Sequence, residues 1–209
     1  METNPTMLTI WGRLNSHNVK KVVWLADELA LSFTRHDVGG QFGMDAAYLA
    51  LNPNALIPTI EDGDILLWES NAILRYLAAR HGEEDWWPSD PVRRAHGDKW
   101  MDWQFALADA QRDAFHHLIR KTPKERDPAA IAASVHKAGK LMAIVDECLS
   151  KQPWLSGEAF GLGDIPVGVY VHTFYTLDIE RPNLPHLRGW YERLTTRDAY
   201  SRTVMIPLS

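Results

Sequence analysis

The stretch Asn52-Pro53-Asn54-Ala55-Leu56-Ile57-Pro58-Thr59-Ile60-Glu61-Asp62-Gly63 runs on through residues 64–67 into Trp68-Glu69-Ser70-Asn71-Ala72-Ile73-Leu74-Arg75-Tyr76-Leu77, and its reading decides the fold. Residues 56–60 are a short apolar run interrupted by a proline, which fits a strand near a sheet edge. Glu61-Asp62-Gly63-Asp64 is a turn, and residues 65–68 are a second apolar run. The two runs are expected to pair as an antiparallel hairpin. Glu69-Ser70-Asn71 then opens a helix that turns Ile73, Leu74 and Leu77 inward.

Upstream, residues 8–11 read as a buried strand closed by Gly12. Val19, Val22, Val23, Ala26 and Leu29 fall at helical spacing behind the capping residues Ser16 and Asn18. Residues 32–38 are a second strand, and residues 46–51 a short helix stopped by Asn52-Pro53. The order is β-α-β-α-β-β-α. Composition changes near residue 82: residues 81–91 carry a glycine, two prolines and three consecutive acids, and residues 83–90 read as a linker between domains 1–82 and 91–209. Beyond it the pattern is helical, with helices from Pro91 to the region of Lys121, over 128–149, from Asp164 to the region of Tyr175, and over 187–195. The fold class is an α/β N-terminal domain followed by an all-α helical bundle.

Composition narrows the function. The 209 residues hold 22 Lys and Arg against 27 Asp and Glu, a net charge of −5, which argues against nucleic acid as a partner. Hydrophobic residues at 45% and charged residues at 23% are ordinary globular usage, which excludes global disorder. No apolar run is long enough to span a bilayer, so no membrane partner is expected. Residues 1–7 are polar and lack the pattern of a secretory signal. A lone cysteine, Cys148, allows no internal disulfide, CxxC pair or cysteine zinc site. It is expected on a buried face with Leu141, Ile144 and Val145. These features suggest a cytoplasmic protein. The nine histidines show no ligand spacing, and no metal is expected.

The NPxxxIPTIxDG…ESxAIxxYL string, with the βαβαββα order and a helical second half, resembles the cytosolic glutathione transferases, whose N-terminal domain is thioredoxin-like. The segment Gly12 to Lys21 is similar to bacterial theta-like and beta-like members, and Leu155-Ser156-Gly157 to Gly163-Asp164-Ile165-Pro166 resembles the entry to the family's core helix. There Gly161 stands where similar proteins usually carry a capping Ser or Thr. The resemblance spans essentially the whole chain. It implies an enzyme, a glutathione transferase that needs no cofactor besides glutathione as co-substrate. It also implies a homodimer.

Glutathione is an anionic tripeptide whose thiol, with a pKa near 8.5, is mostly protonated at neutral pH. The resemblance implies a cis bond between Ile57 and Pro58, so that residues 56–58 offer backbone groups to the peptide as an added strand. It assigns the γ-glutamyl carboxylate to Ser70 at a helix N-terminus and the ligand's ammonium to Glu69. Ser16 matches the activating serine of theta-like members. Asn18 and Asn15 are rivals, since each can donate a hydrogen bond to a thiolate, and all three could instead be simple caps. Gln41, after Gly39-Gly40, is a candidate for the glycyl carboxylate. Three functions are open: conjugation of glutathione to small hydrophobic electrophiles, in detoxification; glutathione-dependent reduction of disulfides or peroxides; and a glutathione-binding protein without chemistry.

Overall fold

The computed structural model describes residues 7–209. Residues 1–6, most of the polar start that bears on compartment, lie outside the described residues. The chain forms two compact units, one ending at Trp87 and one beginning at Pro88.

The first unit is a four-stranded sheet with helices. Strands β1 (Leu8–Trp11), β2 (Phe33–His36), β3 (Thr59–Asp62) and β4 (Ile65–Trp68) lie in the order β2-β1-β3-β4. β1 runs parallel to β2, with Leu8 opposite Phe33, and antiparallel to β3, with Trp11 opposite Thr59. A parallel pair needs a helical crossover, and helix α1 (His17–Glu28) supplies it. Helix α2 (Ala46–Leu51) follows β2, and helix α3 (Ser70–His81) follows β4 and packs on α1. Ile10 and Ile60 from the sheet meet Val22, Leu25, Ile73 and Leu77 from these helices, all with no exposed surface. Removing that apolar area from water holds the unit together.

The hairpin is present but shifted. Its first strand starts at Thr59 rather than at residue 56. Pro58 has no N–H to give, and the Leu56 carbonyl is occupied by side chains, so neither joins the ladder. Asp62 pairs with Ile65, which leaves Gly63-Asp64 as a two-residue turn with Gly63 at φ 62°. Within residues 83–90 the chain forms one helical turn, α4 (Glu83–Trp86).

The second unit is helical throughout its regular structure: α5 (Pro91–Phe115), α6 (Pro128–Leu149), α7 (Asp164–Thr176), α8 (Pro185–Thr195) and α9 (Asp198–Thr203). Asp90 caps α5 and Asp127 caps α6, each followed by a proline whose missing N–H is not needed there. α5 stops short of the predicted Lys121 and passes into a wider π turn over His116–Arg120. Just before it, the Ser134 hydroxyl of α6 enters the α5 ladder, donating to the Ala110 carbonyl at 2.6 Å and accepting from the Ala114 N–H at 3.0 Å. The predicted face of α6 is corrected: Ala138, Met142, Val145 and Leu149 turn inward, Ile144 is 50% exposed, and Cys148 is half-buried, its thiol pushed up by that burial.

α7 is the buried axis of this unit, with every residue from Asp164 to Phe174 buried. Asp164 has no exposed surface and accepts four hydrogen bonds, from the backbone of Leu155, Ser156 and Gly161 and from Trp190 Nε1. Burial pushes its carboxyl up, and these donors hold it back. The hydroxyl expected at position 161 comes instead from Ser156, whose Oγ accepts from the Gly163 N–H at 3.0 Å. α5 and α7 touch by backbone: a Cβ at Gly163 would stand 2.8 Å from the Gly97 carbonyl oxygen. Asp164→Ala should lower unfolding free energy by about 3 kcal/mol, since it strands four donors, and Asp164→Asn by less. A urea midpoint for the alanine variant within error of the wild type would show that those donors find other partners.

Candidate functional site

The segment between α2 and β3 is fixed before any ligand arrives. Tyr48 Oη donates to the Leu56 carbonyl at 2.5 Å, and Asn52 Nδ2 donates to the same oxygen at 2.9 Å. Thr59 Oγ1 lies 3.0 Å from Tyr48 Oη and accepts from Asn52 Nδ2 at 3.2 Å. Asn52 Oδ1 accepts from the Asn54 N–H at 3.0 Å. Tyr48, Asn52 and Thr59 are all buried, and burial raises the Tyr48 phenol above its ordinary value. The Ile57–Pro58 peptide is cis, as the resemblance implied. Among the described residues, no ladder or turn bond takes the N–H or C=O of Ile57.

Across from this segment, α3 begins. Asn18, Asn52, Leu56, Ile57, Pro58, Glu69 and Ser70 line one small cavity of ≈ 60 Å³. That is room for a head group of a few heavy atoms. Ser70 is buried, and its hydroxyl donates to Asn18 Oδ1 at 3.3 Å. Glu69 precedes it at φ 74°, ψ 109°, with its side chain exposed and not capping the helix. The first N–H groups of α3 therefore lack a side-chain cap and favour an anion. A glutamate at that φ is strained by about 1–3 kcal/mol.

Behind Ser70 lies the buried Lys21, and its neighbour in sequence, Lys20, is buried as well. Lys21 Nζ donates to Ser70 Oγ at 3.3 Å and to Asn71 Oδ1 at 3.4 Å. Burial lowers the Lys21 ammonium to about 7, against an upward pull from Glu69, and lowers Lys20 to about 8. The unfolded Lys21 holds its proton to 10.5, so between about 7 and 10.5 the unfolded chain binds more protons. The cost of burying Lys21 is thus full below that window and fades as pH rises through it.

The thiolate candidates separate. Ser16 occupies the N-cap of α1 in extended conformation, yet its side chain makes no cap bond, nor, among the described residues, any other hydrogen bond. No acid stands in the first turn to offset the helix dipole. Asn18 lies on that turn with its Oδ1 turned to Ser70. Asn15 Oδ1 accepts from Arg13 Nη1 at 2.5 Å. Gln41 is exposed in a 3-10 turn over Gly40–Phe42. The cavity thus gathers Asn18, Leu56, Ile57, Pro58, Glu69 and Ser70, whereas Ser16, Asn15 and Gln41 are not on its wall. Sequence reasoning missed Asn52, read only as a helix stop, and Lys21, to which it gave no role. The signal for Lys21 was its spacing of three from Asn18, which puts both on one face.

Glu69→Gly should be more stable than Glu69→Ala by about 1 kcal/mol or more, because only glycine relieves the backbone. Both variants lose the carboxylate, so thermal melts of the pair isolate the strain; equal melting temperatures would remove it.

Residues 15–80 match the family model described as glutathione S-transferase, N-terminal domain, and residues 102–198 match glutathione S-transferase, C-terminal domain. The glutathione S-transferase GstB of Escherichia coli is 44% identical over 208 residues, covering 97% of this chain and 100% of the relative. The disulfide-bond oxidoreductase YfcG of the same organism is 28% identical, covering 90% of each. A crystal structure of a theta class glutathione S-transferase from Xanthomonas axonopodis pv. citri, with glutathione bound, superposes with a TM-score of 0.94 at 48% identity, over 98% of this chain and 100% of that one.

Proposed function

The chain belongs to the glutathione S-transferase family, and we propose that it adds the thiolate of glutathione to small apolar electrophiles, with Ser16 holding the thiolate. The observation that carries this reading is the Ser16 hydroxyl, set at the N-terminus of α1 and engaged by no other group among the described residues. A hydroxyl donor at the positive end of a helix favours the ionised sulfur and so lowers the thiol's pKa. Asn18 and then Asn15 are the alternatives. Asn18 keeps its amide N–H groups available while its Oδ1 serves Ser70.

The rest of the tripeptide follows from chemistry. The γ-glutamyl carboxylate meets the Ser70 hydroxyl and the uncapped N–H groups of α3, and its ammonium meets Glu69. The cysteinyl unit lies beside residues 56–58 as an added strand, pairing with the open N–H and C=O of Ile57. Leu56 and Pro58 shape the wall on either side. Gln41 is the candidate for the glycyl carboxylate. With an aryl halide, the sulfur forms a bond to the ring carbon, halide leaves, and the thiol proton goes to solvent. Positioning and thiolate formation supply the acceleration. A cytoplasmic role in detoxification fits the single cysteine, and among the described residues no helix is long and apolar enough to cross a membrane.

Ser16→Ala should raise the apparent pKa in the kcat/KM profile for an aryl halide by about one to two units, the worth of one hydrogen bond to a charged sulfur. An unchanged profile transfers the role to Asn18. Absence of turnover over a broad electrophile panel would leave a binding protein. Faster consumption of a hydroxyalkyl disulfide would favour the reductase reading, which the likeness to the E. coli disulfide-bond oxidoreductase supports.

The family also points to a second copy of the chain as partner. Sedimentation at micromolar concentration should then give the mass of a homodimer, and a monomer's mass would remove this part of the reading.

A further inference from the structure

Lys21 is wholly inaccessible, as few lysines are, and the proposed chemistry leaves its charge unused. A core that needed only volume at this place would hold Leu or Met, because an ammonium is costly to bury. Asn18 and Lys21 stand three residues apart on α1 and reach the same oxygen, Ser70 Oγ, each at 3.3 Å. A hydroxyl has one proton and two lone pairs, and an ammonium can only donate. While Lys21 carries its proton, the Ser70 proton therefore cannot point back at it. It points to Asn18 and the cavity they line.

We propose that Lys21 is a positioning residue for the anionic head of the ligand: by donating to Ser70 Oγ from behind it turns the hydroxyl proton toward the cavity, and its ammonium supplies the positive charge that a carboxylate there requires. The proposal rests on the reading of Ser70 as the seat of the γ-glutamyl carboxylate. The head group of glutathione is a zwitterion, and the site meets it with the opposite pair. Glu69, exposed at the rim, faces the ammonium, and Lys21, acting through Ser70, faces the carboxylate. The Glu69 carboxylate also favours the charged form of Lys21. Asn71 Oδ1 fixes the second direction of the ammonium and so keeps it behind the serine.

Calorimetry at about pH 6, on the protonated side of Lys21, with two thiol-blocked ligands tests this. One is S-methylglutathione. The other is the same molecule with 4-aminobutyryl in place of γ-glutamyl, which lacks only the α-carboxylate. The wild type should prefer the first by about 10- to 100-fold, the range of a charge-assisted hydrogen bond. Lys21→Met should weaken S-methylglutathione by that factor and change the second ligand by less than about twofold, so that the preference vanishes. Lys21→Gln, which keeps a donor without the charge, should retain part of it. Equal losses on both ligands would mark Lys21 as merely structural, and a preference kept in full by Lys21→Met would overturn the proposal. If Lys21→Met does not fold, a full preference in Lys21→Gln overturns it instead. A wild type that binds both ligands equally fails differently: it removes Ser70 as the carboxylate's seat, and the proposal with it.

Discussion

The carbonyl of Leu56 is held by two side chains from α2 and its stop, and the third member of that cluster, Thr59, is the first residue of β3. This clamp ties a loop, a helix and a sheet at one point. Ordering a loop residue costs roughly 1–2 kcal/mol of conformational entropy. Here that ordering is complete within the fold, so a peptide meeting the open backbone of Ile57 need not supply it. Tyr48, Asn52 and Thr59 are buried, so water has little access to the bonds among them. The positions of Pro58 and of the cavity follow from it.

Two departures from local rules lie on the cavity or against it. Glu69 adopts a backbone conformation that glycine would prefer, and Lys21 carries an ammonium into the interior. In β1 and along the apolar face of α1, pattern and burial agree: β1 alternates its faces, and α1 fills with valine, tryptophan and leucine. Departures of this sort concentrate where binding has been favoured over stability. The two are linked, since the exposed Glu69 carboxylate offsets the charge that Lys21 brings inside.

The architecture was legible because its signals are local. A short apolar run closed by Gly12 marked β1, helical spacing marked α1 and α3, and prolines opened α5 and α6 at the residues observed. The Pro58 loop and the Glu69-Ser70 step were also readable, as they form one contiguous motif. What escaped was tertiary. Whether Ser16 caps its helix or stays free depends on hydrogen bonds that spacing does not encode. The late start of β3 depends on the side chains of Tyr48 and Asn52 upstream. The end of α5 lies beside a hydroxyl arriving from α6, and Ile144 sits on solvent although its side chain suits a core. Lys21 was hidden for a related reason: a lysine in an amphipathic helix defaults to the surface, and only the meeting of α1 with α3 reverses it.

The Ser134 hydroxyl lodged between Ala110 and Ala114 completes the backbone of one helix with an atom of another. If α6 drew away from α5, a carbonyl and an amide in mid-helix would lose their shared partner together. The two helices are thereby committed to open as one cooperative block rather than fraying separately. Slow amide exchange on α5 is then a property of its neighbour as much as of its own sequence.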